Sequence, residues 1–214
     1  MDLDARREEY ETQGFDVGDV DPDPVVQVGR WFREWEAVAP NEPSAVVLAT
    51  ADAAGRPSVR TVLLRGFDEG SCTFFTSYDS RKGHDLEANP HAAIVCSWVP
   101  LLRQVNLRGP VARVPRAESE AYFAGRPRGS QLAAWASHQS SVLVDRAELE
   151  TRFAEAAERF ADGEVPCPPY WGGYRLLPDE IELWQGRPSR MHDRLRYERD
   201  PDAPGGWRLV RLSP

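Results

Sequence analysis

At Ser44 the chain changes its hydrophobic period, and that change commits it to a β-rich fold. Ala45-Val-Val-Leu-Ala-Thr50 reads as a buried strand. Asp52-Ala-Ala-Gly55 supplies a turn, Ser58-Val-Arg-Thr-Val-Leu-Leu-Arg65 a second strand, and Asp68-Glu-Gly70 a further turn before Cys72-Thr-Phe-Phe-Thr76. Short apolar runs joined by Asp/Gly turns make hairpins, because glycine accepts the backbone conformations that tight turns demand. His91–Trp98 and Arg103–Arg113 extend the series. Tyr170–Leu176, Glu180–Trp184, Asp193–Tyr197 and Trp207–Leu212 close it. In the second strand, alternation sends Arg60, Val62 and Leu64 to one face and Thr61, Leu63 and Arg65 to the other. Both faces carry apolar residues, so this strand is expected to be covered on both sides. Its arginines then need partners, since an unpaired buried charge is costly.

Helices flank the strands. Asp23 caps a helix with Pro24 in its first turn, and Val25, Val28, Trp31, Phe32 and Trp35 share one face of it, a core stripe. Ser80-Arg-Lys-Gly-His-Asp-Leu-Glu-Ala-Asn-Pro90 is a short helix between a Ser cap and a Pro stop. Ala117–Ala124 and Gln131–Ala136 are helical, and Asp145 with Glu148 opens a helix whose stripe is Leu149, Phe153, Ala156 and Phe160. Val165-Pro-Cys-Pro-Pro169 is a stiff linker. The sum is an α+β fold, mostly β with flanking helices. Residues 1–22 are acidic and poor in apolar side chains, so they read as a mobile N-terminal segment ahead of a single domain, 23–214.

Composition excludes several classes. A chain of 214 residues suits one domain with an ample core. A net charge of -8 disfavours coating nucleic acid. Cys72, Cys96 and Cys167 are widely spaced and odd in number, which fits reduced thiols in a cytoplasmic protein and no metal or redox pair. No apolar run approaches membrane-spanning length, and Met1-Asp-Leu-Asp does not begin a signal peptide. A Rossmann Gly-x-Gly-x-x-Gly, a P-loop, paired metal-binding histidines and a nucleophile elbow are all absent.

Candidate chemistry gathers at cations. Trp184-Gln-Gly-Arg-Pro-Ser-Arg-Met-His-Asp-Arg194 combines an aromatic ring, arginines and a histidine. Guanidinium groups bind planar anions and phosphates through forked hydrogen bonds, and histidine moves protons near neutral pH. Arg81 and Lys82 stand in the first turn of a helix, where the dipole favours anions. A phosphate held there resolves the conflict. Arg126, Arg128 and Ser130 form a further set of phosphate donors, and Tyr122 shares a face with Arg126 if its helix runs on. Two donor sets emerge: Arg60 with Arg81, Lys82 and Ser140, and Arg65 with Tyr122, Arg126 and Ser130. They suit two phosphorylated small molecules or one molecule with two phosphates. His84 and His91 read as structural or exposed.

These residues carry a resemblance. Arg60-Thr-Val-Leu-Leu-Arg65, Thr76 with Ser80-Arg-Lys82, Arg103-Gln104 and Tyr122-Phe-Ala-Gly-Arg-Pro-Arg-Gly-Ser130 resemble the pyridoxamine (pyridoxine) 5′-phosphate oxidase family. So do Gln139-Ser-Ser141, Trp171-Gly-Gly173, Glu182-Leu-Trp184, Arg190-Met-His-Asp-Arg194 and Arg211-Leu-Ser-Pro214, in order along the chain from residue 7. The resemblance implies a split β-barrel that works as a homodimer with FMN at the subunit interface. It implies FMN contacts at Arg60, Thr61, Leu63, Arg65, Phe75 and Thr76, and at Arg81, Lys82, Gln104, Gln139, Ser140, Trp184 and Arg194. Substrate phosphate falls to Arg65, Tyr122, Arg126 and Ser130. Arg190 and His192 match the pair that holds the substrate's pyridine ring, and Arg7 and Tyr10 match an N-terminal lid. The implied reaction takes pyridoxamine or pyridoxine 5′-phosphate to pyridoxal 5′-phosphate, with dioxygen as acceptor and peroxide as product. The alternative is a related FMN oxidase acting on another aromatic substrate in secondary metabolism. Three departures stand out: Arg65 where the family often has Lys, Glu42 where Asp is common, and an acidic segment 16–23 that is shorter and less basic than in typical members.

Overall fold

The computed structural model describes residue 10 and residues 12–39, 41–68 and 70–214. After helix α1 (Pro24–Glu36) come strands β1 (Ala45–Ala51), β2 (Pro57–Asp68) and β3 (Ser71–Ser77), then α2 (Arg81–Ala88), β4 (His91–Trp98) and β5 (Arg103–Arg113). Three helices follow: α3 (Arg116–Ala124), α4 (Arg128–Ala136) and α5 (Arg146–Arg159). Strands β6 (Trp171–Leu176), β7 (Glu180–Gln185), β8 (Asp193–Arg199) and β9 (Trp207–Arg211) complete the chain. Every pairing is antiparallel, in the order β4-β1-β2-β3-β6-β5-β7-β8-β9, and a β4–β5 pairing closes the first six strands into a barrel.

Strand β5 explains why the barrel is split. One of its edges pairs with β4 over His91–Trp98. The other edge is shared: Arg103–Arg108 pair with β7, and Val111–Arg113 with β6. The division falls at Gly109-Pro110. A Cβ on Gly109 would collide with the Leu177 carbonyl, so only glycine permits the approach. Pro110 has no N–H to donate, while its carbonyl accepts from Leu177 N at 2.9 Å.

The barrel core is apolar, with Leu48, Phe74, Ile94, Leu107, Leu176 and Leu183 among its fully buried side chains. Helix α1 seals one end: Trp35 stacks on Trp98 at 6.3 Å and Phe15 meets Trp31 edge-on at 5.4 Å. A second cluster, centred on Phe123, Leu132, Ala156 and Trp171, joins α3, α4 and α5 to β6. No helix among the described residues is long and apolar enough to cross a membrane.

Three sequence expectations change. Strand β2 is not covered on both sides. None of its residues is fully buried, Val59 is 68% exposed, and the open side floors a cavity. Helix α3 does not run on to Arg126, because Gly125 caps it and Pro127 begins the next turn. Helix α5 fully buries only Ala156, and Phe153 is left 38% exposed. Residues 12–22 pack against the domain: Asp16 caps a short 3-10 turn, and Arg211 donates to the Phe15 carbonyl at 2.9 Å and to Asp16 at 2.8 Å. Residues 1–9, with Arg7 among them, lie outside the described residues.

Candidate active site

A cavity of about 900 Å³ opens between β2, the start of α2, α3–α4 and the loop after α4. Arg60, Thr61, Leu63, Arg65, Phe75 and Thr76 line it from the strands. Arg81, Lys82, Gln139 and Ser140 line it from one end, and Tyr122, Arg126 and Ser130 from the other. The two donor sets read from the sequence therefore meet in one space, and β2 is the bridge. Arg60 and Arg65 both border the cavity, although strict alternation would part them: the β2–β3 register shifts between Leu64 and Gly66, leaving Arg65 at an irregularity.

The first set is built around α2. Ser80 caps the helix, its hydroxyl accepting from Gly83 N at 3.3 Å. Lys82 is buried. Its ammonium donates to Thr76 Oγ1 at 3.1 Å, Ser80 Oγ at 3.2 Å and Gln139 Oε1 at 2.8 Å. Burial, reinforced by the nearby Arg60 guanidinium, pushes the ammonium down to about 8. Arg60 donates to the Leu48 carbonyl at 3.2 Å, to Thr50 Oγ1 at 2.8 Å and to Ser58 Oγ, and lies 3.7 Å from Asp85. Ser140 holds a positive φ of 74°, a conformation costly for a residue other than glycine and common where a loop is shaped for a ligand. Three cations against one carboxylate leave a positive excess matched to a phosphate monoester dianion.

The second set rests on stacked rings. Phe75 and Tyr122 stack at 3.9 Å, and Tyr122 lies parallel to Trp171 at 6.2 Å. Arg126 lies over the Trp171 ring at 4.7 Å, and its Nη1 is buried with no hydrogen-bond partner among the described residues. Arg126 also lines the cavity, and a guanidinium with a donor left unpaired suits an anion there. Burial pulls the Arg126 group down, and the Arg65 charge adds to that; the charge of a bound anion would offset both. Arg65 reaches Ser44 Oγ at 3.5 Å, and Ser44 donates to Glu42 at 2.5 Å, so these two departures from the family pattern meet at one hydroxyl. Arg128 is a correction. It turns away and donates to the Gly163 carbonyl at 2.9 Å and to the Phe160 carbonyl, closing the end of α5 rather than serving a phosphate.

The remaining candidates form a separate cluster outside the cavity lining. Register puts Gln104, Trp184 and Arg194 in one cross-strand row on β5, β7 and β8. Arg194 is forked onto Glu182 at 2.9 and 3.0 Å. His192 packs on Trp184 at 4.7 Å, with the Tyr10 ring 6.0 Å away. His192 Nδ1 accepts from Arg187 N at 3.1 Å, so in the neutral ring Nε2 carries the proton and is a donor. Ser189 and Arg190 are consecutive left-handed residues, φ 55° and 60°, in an exposed turn. His84 and His91 are exposed, as expected.

Sequence reasoning missed Asp85 and the roles of Ser58 and Trp171. Trp171 was visible in the Trp-Gly-Gly run, but its stacking was not. Asp85 reads as an ordinary helix carboxylate until Thr50 and Ser58 are brought to it.

A split antiparallel barrel with two cationic donor sets in one cleft defines a protein that handles small phosphorylated molecules. The chain belongs to the pyridoxamine 5′-phosphate oxidase family, whose profile matches residues 33–160, while residues 171–214 match the pyridoxine 5′-phosphate oxidase C-terminal dimerisation region. It is 55% identical over 208 residues to pyridoxine/pyridoxamine 5′-phosphate oxidase 1 of Ralstonia nicotianae, covering 97% of each chain. It is 53% identical to pyridoxine/pyridoxamine 5′-phosphate oxidase of Rubrobacter xylanophilus, covering 100% of this chain and 97% of that one. Among solved structures, PhzG from Burkholderia lata 383 in complex with tetrahydrophenazine-1-carboxylic acid superposes with a TM-score of 0.87 at 31% identity, covering 97% of this chain and 100% of that one.

Proposed function

We propose that the protein is an FMN-dependent oxidase converting pyridoxamine or pyridoxine 5′-phosphate to pyridoxal 5′-phosphate, and that it acts as a homodimer in the cytoplasm. The observation that carries this reading is the single cavity holding two phosphate-donor sets, one ending in the orphaned Arg126 nitrogen. The donor set fits FMN: Arg60, Arg81, Lys82 and Ser140 would hold its phosphate, with Thr61, Leu63, Phe75, Thr76 and Gln139 around it. The chemistry that FMN supplies when bound is two-electron oxidation with dioxygen as final acceptor. Overall, pyridoxamine 5′-phosphate, dioxygen and water give the aldehyde, ammonia and hydrogen peroxide.

The chain's own residues bind and orient. Arg65, Tyr122, Arg126 and Ser130 take the substrate phosphate. Arg190 covers the pyridine ring, and His192 donates from Nε2 to a ring substituent. Gln104, Trp184 and Arg194 complete the cofactor site. None of these last five lines the cavity of its own chain, which supports a site shared between two copies. Arg7 and Tyr10 would close over the substrate, and Tyr10 already packs beside His192. Holding the substrate in one orientation in this way would contribute several kcal/mol of barrier lowering.

The second reading, a related oxidase of another aromatic compound, draws on the likeness to the phenazine-binding structure. The Tyr122, Arg126 and Ser130 set weighs against it, since a substrate without phosphate leaves Arg126 unpaired. Purified protein supplied with FMN under air is expected to form aldehyde from pyridoxamine 5′-phosphate and almost none from pyridoxamine at equal concentration. Equal rates on both compounds, or a protein that takes up no flavin, would reject the proposal.

A further inference from the structure

Asp85 is a buried carboxylate to which the proposed reaction gives no part. It is 4% exposed, lies on α2 outside the lining of the large cavity, and reaches β1 and β2 through Thr50 and Ser58. Its Oδ2 accepts from Thr50 Oγ1 at 2.6 Å and from Ser58 Oγ at 2.8 Å. Those same hydroxyls accept from Arg60, Thr50 from Nη1 at 2.8 Å and Ser58 from Nη2. A hydroxyl has one hydrogen and two lone pairs. An ionised carboxylate only accepts, so it draws both hydroxyl hydrogens toward itself and turns their lone pairs toward the guanidinium. The carboxylate thereby sets the polarity of a four-residue relay and holds Arg60 in place before any ligand arrives.

We propose that Asp85 is the positioning residue of the FMN phosphate site, acting through the Thr50 and Ser58 hydroxyls to fix Arg60. This rests on the FMN reading above. The state of the carboxyl agrees with it: burial alone would raise the group, but hydrogen bonds from Thr50 and Ser58, with the charges of Arg81 and Arg60, carry it below the ordinary carboxylate value. Asp85 therefore stays an acceptor throughout the working pH range. Asparagine has the same shape but no charge, and its amide nitrogen brings two N–H donors. Its neutral oxygen accepts more weakly than a carboxylate's and its N–H donors compete for the same hydroxyls, so the relay loses the charge that fixed its direction and Arg60 is held less firmly.

The test compares FMN with riboflavin, which carries the same ring and no phosphate, by quenching of flavin fluorescence. Asp85→Asn is expected to weaken FMN by about tenfold, the cost of ordering one freed arginine on binding, and to leave riboflavin within about twofold. In an Arg60→Lys background the same substitution should add almost nothing. Ser58→Ala, at a half-buried position that tolerates truncation, should give a smaller loss confined to FMN, and it carries the test if Asp85→Asn does not fold. Equal weakening of both flavins would show a general structural role and overturn the proposal. So would additive losses in the Arg60→Lys background, or FMN binding that is unchanged or tighter. Wild-type protein that ignores both flavins ends the FMN reading and this proposal with it. Wild-type binding with an unaffected Asp85→Asn ends this proposal alone.

Discussion

Lys82 illustrates how a single residue carries the energetics of the site. Its ammonium is buried beside another cation, so its folded-state value is depressed to about 8 from an ordinary 10.5. Below that value the group is charged and attracts a phosphate. As pH rises through about 8 the charge is lost from the free protein. Affinity for FMN should then fall by up to about tenfold per pH unit, while the ligand's phosphate, with a second pKa near 6, stays dianionic. The sign reverses for the protein without ligand. Above about 8 the unfolded lysine still binds its proton and the folded one does not, so stability from this group rises with pH up to the unfolded value. Flavin titrations at about pH 7 and about pH 9.5, with Lys82→Arg as the flat control, read this directly. An affinity that does not change over that range would separate Lys82 from the phosphate. Lys82 could be named from sequence because a cation in the first helical turn conflicts with the dipole. Asp85 could not, since its partners come from strands 27 and 35 residues away.

Among the elements, α2 positions most of the chemistry, and Gly83 shows how tightly it is set. A Cβ on Gly83 would collide with the Tyr78 carbonyl, which is backbone and cannot swing aside. Gly83→Ala should cost roughly 1–3 kcal/mol, an overpacking penalty, and lower Tm by roughly 3–10 °C for a chain of this size. It should also weaken FMN, because the helix start moves with Lys82. A thermal melt and a flavin titration on the same variant check both; an unaltered melt would mean the helix has slack that the packing denies. The strands were legible because period-2 runs between Asp/Gly turns leave few alternatives. The open face of β2 was not, because Val59, Thr61 and Leu63 look the same whether a strand is roofed by a core or floors a cleft. Arg128 misled for a local reason: Pro127 starts α4, and one step round the helix turns Arg128 toward α5.

On the scale of the whole molecule, the candidate residues divide into two groups. The cavity group lies on the barrel and α2–α4; the group of Arg190, His192, Trp184 and Arg194 lies on the β7–β8 extension. Exposed Val59, Val142 and Met191 leave apolar surface near both groups that a second copy can cover. Under two-fold symmetry, the proposed site would take its phosphate donors from one subunit and its ring-holding pair from the other. The most direct measurement uses two inactive variants. Arg126→Ala, assayed at low substrate, and Arg190→Ala, which should keep FMN but lose about a hundredfold in turnover, are co-expressed and purified together. Random pairing restores one intact site in each mixed dimer, so aldehyde formation should return to about a quarter of the wild-type rate. A mixture no more active than either variant alone would contradict the shared site.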